Sequence, residues 1–166
     1  MNFIKGWDVV YTKSRYGKEI AQKLAERNFK VYLPFSTILS LWSDHKKKVE
    51  KSLFSSYVFV YLETITDYLK VLTIDRVVLF IKFDGRLVGA WDGEINRIKI
   101  FLKSYSQVEL KSSLDIKVGE KNRVASVSFK NYEWEIIKIY NEQKIGLGNL
   151  SLHESLVAEM PHNHLI

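Results

Sequence analysis

The residues of this chain that could do acid–base or metal chemistry do not gather into a catalytic set. His162-Asn-His164 has the makings of a metal pair, but no third ligand stands at a useful spacing. His45 sits within a lysine-rich stretch, and His153 has no evident acid partner. Gly146-Leu-Gly148 is too short a glycine pattern to cradle a phosphate and is expected to be a hairpin turn. Cysteine is absent, which excludes both a disulfide framework and a thiolate metal site. The expectation is a non-enzyme with no cofactor and no metal.

The chemistry that remains is recognition, and it concentrates between Trp42 and Tyr61. Three consecutive lysines, Lys46, Lys47 and Lys48, are expected in a polar turn, with Lys51 just after it. A strand follows in which Tyr57, Phe59 and Tyr61 point one way and Val58, Val60 and Leu62 the other. Both faces are large and apolar, so one can pack under helices while the aromatic one needs a second cover or a partner protein. Two readings fit: a surface built to meet protein and nucleic acid, or a central strand buried on both faces beside a solvated lysine turn.

The elements that would position these residues follow from periodicity. Trp7–Thr12 reads as a first strand, and Ser14 as the N-cap of a helix over residues 17–28 with Ile20, Ala21, Leu24 and Ala25 inward. Glu19 and Lys23 form an outward pair, and Asn28 can end the helix in a left-handed conformation. Residues 29–62 form a β-hairpin interrupted near Pro34. Thr64-Ile-Thr-Asp67 is a capping pattern opening a short helix with Ile65, Leu69 and Leu72 inward. Val77–Phe83 is a strand, Asp84-Gly85 a turn, and Asp92 the cap of a helix with Ile95, Ile98 and Leu102 on one face. The fold class is therefore α+β: an antiparallel sheet flanked by helices over residues 1–105. Residues 106–117 read as a linker. Short strands at 123–129, 132–140, 145–150 and 156–160 then suggest a small C-terminal β-barrel over 118–166.

Charge is unevenly placed. Residues 1–105 carry 18 Lys and Arg against 11 Asp and Glu, whereas residues 106–166 carry 7 against 8. Any phosphate backbone would meet the first part. The N-terminus has no apolar h-region and no run is long enough to span a bilayer, so a soluble, cytoplasmic monomer without a membrane partner is expected.

Taken together, these motifs resemble the NusG family of transcription elongation factors over almost the whole chain. Trp7 with Tyr11 is similar to the family's opening strand, and Arg15, Glu19 and Leu24 to its first helix. Val31-Tyr-Leu-Pro34, Trp42–Val49 and Leu53-Phe-Ser-Ser-Tyr-Val-Phe-Val60 resemble its hairpin, with Ser55 where the family has proline. The likeness is best to specialised paralogues, the UpxY-, LoaP- and RfaH-like antiterminators of polysaccharide operons. It implies an NGN-like domain followed by a KOW-like (SH3-like) barrel. It also implies that Tyr11, Phe54, Tyr57 and Phe59 grip the clamp helices of the largest subunit of RNA polymerase. Lys13, Arg15 and Arg76 match positions that meet non-template DNA, and Lys46, Lys47, Lys48 and Lys51 would attract upstream DNA. In the barrel, Val127, Ser128, Asn131 and Trp134 replace the family's Gly-Pro, Gly and Gly, which puts its usual partners, the termination factor Rho or a ribosomal protein, in doubt. A general elongation factor, or a ribosome-associated RNA-binding KOW protein, is the alternative; the acidic balance after residue 105 argues against the latter.

Overall fold

The computed structural model describes residues 3–90, 92–105, 107–112, 118–123, 133–139, 142–147 and 154–159. The elements run β1 (Gly6–Thr12), α1 (Gly17–Glu26), β2 (Lys30–Tyr32), β3 (Phe35–Trp42), β4 (His45–Ser52) and β5 (Tyr57–Leu62). Then come α2 (Ile65–Leu72), β6 (Val77–Phe80), β7 (Lys82–Phe83), β8 (Arg86–Leu87), β9 (Gly89–Ala90) and α3 (Asp92–Ser104). The last five are β10 (Glu109–Ser112), β11 (Val118–Arg123), β12 (Glu133–Ile139), β13 (Glu142–Leu147) and β14 (Glu154–Glu159). The chain divides into two units, one of Met1–Pro34 with Phe54–Ile95 and one of Phe35–Leu53 with Asn96–Ile166.

The first unit is built on an antiparallel sheet of order β2-β5-β1-β6, with β9 also paired to β1. Strand alternation sends Val10, Val58, Val60 and Leu62 to one face, where they pack with Ile20 and Leu24 of α1, Val71 of α2, Ile74 and Phe80. All nine are at most 3% exposed. This is the expected helix-covered antiparallel sheet.

Local details depart from expectation where two placements compete. The N-cap of α1 is Tyr16, with no side-chain cap, and not Ser14. Arg15 takes a left-handed φ of 69° and delays the helix start, and the amide of Tyr16 donates to the Lys13 carbonyl at 3.1 Å. Gly17 opens α1 because a Cβ there would stand 3.3 Å from the Ser55 carbonyl oxygen. In α2 the capping box forms as expected, the Thr64 hydroxyl accepting from the Asp67 amide and the Asp67 carboxylate from the Thr64 amide. The inward stripe, however, is Tyr68, Val71 and Leu72, while Ile65 and Leu69 are exposed. Eight residues offer both stripes at helical spacing; the one chosen lets Tyr68 stack on Phe80 at 4.7 Å. In α3, Phe101 is fully buried where Leu102 was expected, and its ring lies 4.9 Å from that of Tyr105. Asn28 is left-handed, and Asp84 and Gly85 both have positive φ, as a tight hairpin turn requires.

The long hairpin expected over 29–62 is two pairings. Its base, β2 with β5, belongs to the first unit's sheet, while β3 and β4 form a separate two-stranded arm in the second unit. Pro34, unable to donate to a ladder, separates β2 from β3, and residues 53–56 separate β4 from β5. The second unit also holds an antiparallel sheet of order β10-β14-β13-β12-β11. Glu109–Ser112, within the segment expected to be a linker, is its strand β10, anchored just upstream by Val108, whose amide donates to the buried Ser36 hydroxyl at 3.0 Å. Gly146 lies within β13 opposite Glu135 and Val157, so it does not make the expected turn. The first strand after the linker is 118–123, earlier than expected; residues 124–132, with most of the altered glycine pattern, lie outside the described residues.

One buried charge stands out in the first unit. Asp8 is 4% exposed, next to Val60 and Gly89 across the sheet, and its Oδ2 has no hydrogen-bond partner. Burial pushes its carboxyl up from 3.8 to about 6. The folded state therefore holds this proton more tightly than the unfolded one, so Asp8's contribution to stability falls as pH rises from about 4 to about 6. Asp8→Asn should remove that slope and stabilise the protein at pH 7 by about 1–3 kcal/mol. Urea unfolding of both proteins at pH 4 and pH 7 checks this; an equal difference at the two pH values would refute it.

Candidate functional site

Three features could serve recognition, two in the first unit and one in the second. The first is the sheet face opposite the helices. Pairing of β1 with β5 sets Trp7 against Tyr61, Val9 against Phe59 and Tyr11 against Tyr57. Tyr32 of β2 extends the middle row and Leu79 of β6 the outer one. The rings touch along these rows: Trp7–Tyr61 and Tyr11–Tyr57 at 5.6 Å, Tyr32–Phe59 at 6.1 Å.

The rows differ in how far they are closed. Trp7 is 3% exposed, its indole N–H donates to Asp92 Oδ1 at 2.8 Å, and the Lys30 ammonium lies 5.3 Å from its ring. In the middle row Phe59 is buried and meets Phe54 edge-on at 5.8 Å. Burial pushes the Tyr32 hydroxyl well above its ordinary range. The outer row is open, with Tyr57 and Tyr11 half-buried and Leu79 45% exposed. The four aromatic residues singled out from the sequence thus gather in one place. Only Tyr11 and Tyr57 reach the surface; Phe54 and Phe59 are 1% exposed and lie inside it. Leu79 belongs to the surface and was missed, because all four residues of β6 are apolar and their alternation names no face.

The second feature is a basic corner at the end of β1. The amide of Lys13 donates to the Arg76 carbonyl at 3.0 Å, joining the loop after β1 to the loop before β6. Arg15 and Arg76 both hold left-handed backbone, at φ 69° and 71°, which costs about 1 kcal/mol or more for each such residue. The Arg76 guanidinium lies 4.0 Å from the centre of the Tyr16 ring and pairs with Glu19 at 3.3 Å and Asp75 at 3.4 Å. Glu19 is also held by Lys23 at 2.8 Å; that bond, more than Arg76, keeps its carboxyl below the usual range. Lys13 and Arg15 are exposed and in no ion pair among the described residues. The partners of Arg76 were not legible in the sequence.

The third feature is the β3–β4 arm. Its turn is Ser43-Asp44, with Ser43 at φ 47°, and Lys46, Lys47, Lys48 and Lys51 lie on strand β4 and not in a turn. Register puts Lys46 and Lys48 on one face, opposite Leu41 and Leu39, and Lys47 and Lys51 on the other, opposite Ser40 and Ser36. Alternation therefore splits the expected basic cluster in two. His45 faces Trp42 beside the turn, while His153, His162 and His164 lie outside the described residues. Among the described residues no group of three His, Asp or Glu could hold a metal ion, and no helix is long and apolar enough to cross a membrane.

Comparison with known proteins gives these features a family. No curated protein matches the chain. Among solved structures, that of NusG from Thermotoga maritima, described as concerning domain interaction in that protein, is similar in fold. It is 22% identical, with a TM-score of 0.50 over 95% of this chain and 98% of that one. A family model described as NusG, transcription termination factor nusG, matches residues 5–99. That span holds the aromatic face, the basic corner and the arm, and it exceeds half of the sequence; the chain belongs to the NusG family of non-enzymatic transcription factors.

Proposed function

We propose that this protein is a transcription antitermination and processivity factor that binds elongating RNA polymerase and suppresses pausing or termination at particular operons, those for polysaccharide biosynthesis. The observation that carries the proposal is the open outer row Tyr57–Tyr11–Leu79. Two half-buried tyrosines and a leucine on a rigid sheet, with Phe54 and Phe59 packed behind them, form a surface that can take the clamp helices of the polymerase's largest subunit. Phe54 and Phe59 would shape this surface from within and contribute little direct contact area.

The basic corner supports a second contact, to non-template DNA. Lys13 and Arg15 would attract the backbone, while Arg76, held by Tyr16 and Glu19, would orient both loops and present its remaining N–H groups. The arm's lysines would add attraction to upstream DNA. On this reading residues 1–105 form the NGN-like polymerase-binding domain and the C-terminal sheet, which β10 joins, a KOW-like barrel; recruitment of Rho or a ribosomal protein through it belongs to the alternative, a general elongation factor.

Transcription through a terminator with the cognate polymerase tests the function, on the leader of the neighbouring operon beside an unrelated leader. Read-through on the cognate leader alone is the expected result. Equal effects on both would favour a general elongation factor, and no effect with no polymerase bound would end the proposal. Tyr57→Ala and Leu79→Ala should each weaken polymerase binding by about 1–2 kcal/mol, roughly 5- to 30-fold, in a protein that still folds. Phe54→Ala is a poorer probe, since emptying that buried site should first destabilise the domain by about 3–5 kcal/mol. Arg15→Ala should leave polymerase affinity in place and lower read-through on the cognate leader. Unchanged read-through would remove Arg15 from the DNA contact.

A further inference from the structure

A cleft of about 460 Å³ opens in the first unit between the end of α1, the start of β2 and the start of α2. Tyr61 of β5 lies on its wall and pairs with Trp7, at the opposite end of the sheet from the basic corner. It stands four residues, roughly 13 Å, along the strand from Tyr57. None of the residues lining the cleft takes part in the polymerase or DNA contacts proposed above.

One side of the cleft is fixed by the turn that closes α1. Asn28 holds a left-handed φ of 64°. Its amide donates to the Ala25 carbonyl, and that of Phe29 to the Leu24 carbonyl, both at 3.0 Å. Arg27, Asn28 and Phe29 are thereby set in place. Lys30 is set by rings, its ammonium 5.2 Å from the centre of Tyr61 and 5.3 Å from that of Trp7. Lys70 of α2 faces the same space.

The charges of the cleft do not cancel. Glu63 pairs with Lys5 at 3.6 Å, and the Asp67 carboxylate accepts from the amides of Glu63 and Thr64. Arg27 and Lys70 are in no ion pair among the described residues. With Glu63 offset by Lys5, three cations face one carboxylate, an excess of two positive charges. That excess matches a phosphate monoester near neutral pH. A volume of this size holds an organic molecule and not only an ion. Phe29 and Tyr61 offer it apolar ring surface, and the Asn28 amide offers both a donor and an acceptor to the edge of a heterocycle.

We propose that this cleft binds a nucleotide, with Arg27, Lys30 and Lys70 holding its phosphate and Phe29, Tyr61 and Asn28 receiving its base. The inference is independent of the polymerase and DNA contacts, since it uses none of their residues.

The test is calorimetric titration of the full-length protein with nucleoside monophosphates, the matching nucleosides and inorganic phosphate. At least one monophosphate should bind, with its nucleoside and inorganic phosphate each tenfold or more weaker. Arg27→Ala and Lys70→Ala should each weaken binding by about tenfold, as loss of a charged hydrogen-bond donor implies. Asn28→Gly keeps the left-handed backbone and should narrow the differences between bases. Arg15→Ala, in the basic corner, should change nothing. No binding at millimolar monophosphate would refute the proposal, as would inorganic phosphate binding equally well. Affinity lost in Arg15→Ala but kept in Lys70→Ala would move the ligand to the basic corner and overturn the assignment. A single-stranded oligonucleotide that binds through Lys70 where no monophosphate does would make the cleft part of a nucleic-acid path, again refuting it.

Discussion

Strand β1 is paired along both edges, to β5 on one side and to β6 and β9 on the other, and the parity of that pairing decides what each face of the first unit can do. With Trp7 against Tyr61 and Tyr11 against Tyr57, every large ring of the two strands is sent away from the helices. Their branched aliphatic neighbours go under α1 and α2. A slip of one residue would drive the rings into a layer sized for valine and leucine, and would turn Val58, Val60 and Leu62 outward. The aromatic face thus exists because the opposite face packs well. Asp8 is the member of β1 that fits this division least: it shares the aliphatic parity of Val10 but brings a charge into a buried position.

The rows of the aromatic face differ in what lies at their centre. Trp7 and Phe59 are buried, with Tyr61 and Tyr32 half-buried beside them, whereas the outer row joins two half-buried tyrosines to the exposed Leu79. The open row ends where the basic corner begins. Tyr11 is two residues from Lys13, and Val77, next to Arg76, pairs with Thr12. One strand end therefore brings an apolar contact surface and a cationic one side by side. The amide of Lys13 on the Arg76 carbonyl ties the two loops of the basic corner to each other.

Much of this was legible in the sequence because it depends on parity and local chemistry. The alternation of Tyr57–Leu62, the Thr64–Asp67 box, the left-handed Asn28 and the Asp84-Gly85 turn need only a residue and its near neighbours. What failed depended on competition between two acceptable local solutions. In α2 a stack of Tyr68 on Phe80 selected one of two helical stripes. At Ser14 a good capping residue lost to a turn through Arg15, a residue with no intrinsic taste for positive φ. Leu79 was invisible because a four-residue apolar strand carries no alternation, and only its pairing with Tyr11 assigns its face. The lysine run looked like a turn because charge clusters usually are. The actual turn is the adjacent Ser43-Asp44, and the lysines extend the ladder opposite Ser40, Leu39 and Leu41.

The two kinds of cation in the basic corner suit different tasks. Lys13 and Arg15 are exposed and, among the described residues, held by no ion pair, so they can follow a phosphate backbone but fix no geometry. Arg76 is placed before any ligand arrives: Tyr16 sets the plane of its guanidinium, and Glu19 and Asp75 set its rotation. A guanidinium has five N–H donors in a rigid fork, so those not given to Glu19 and Asp75 point in directions the protein has already chosen. Discrimination between bases requires such fixed donors, whereas attraction requires only charge. On the proposed reading, then, selectivity among operons would rest on the cation that is already engaged, and the free ones would bring DNA within its reach.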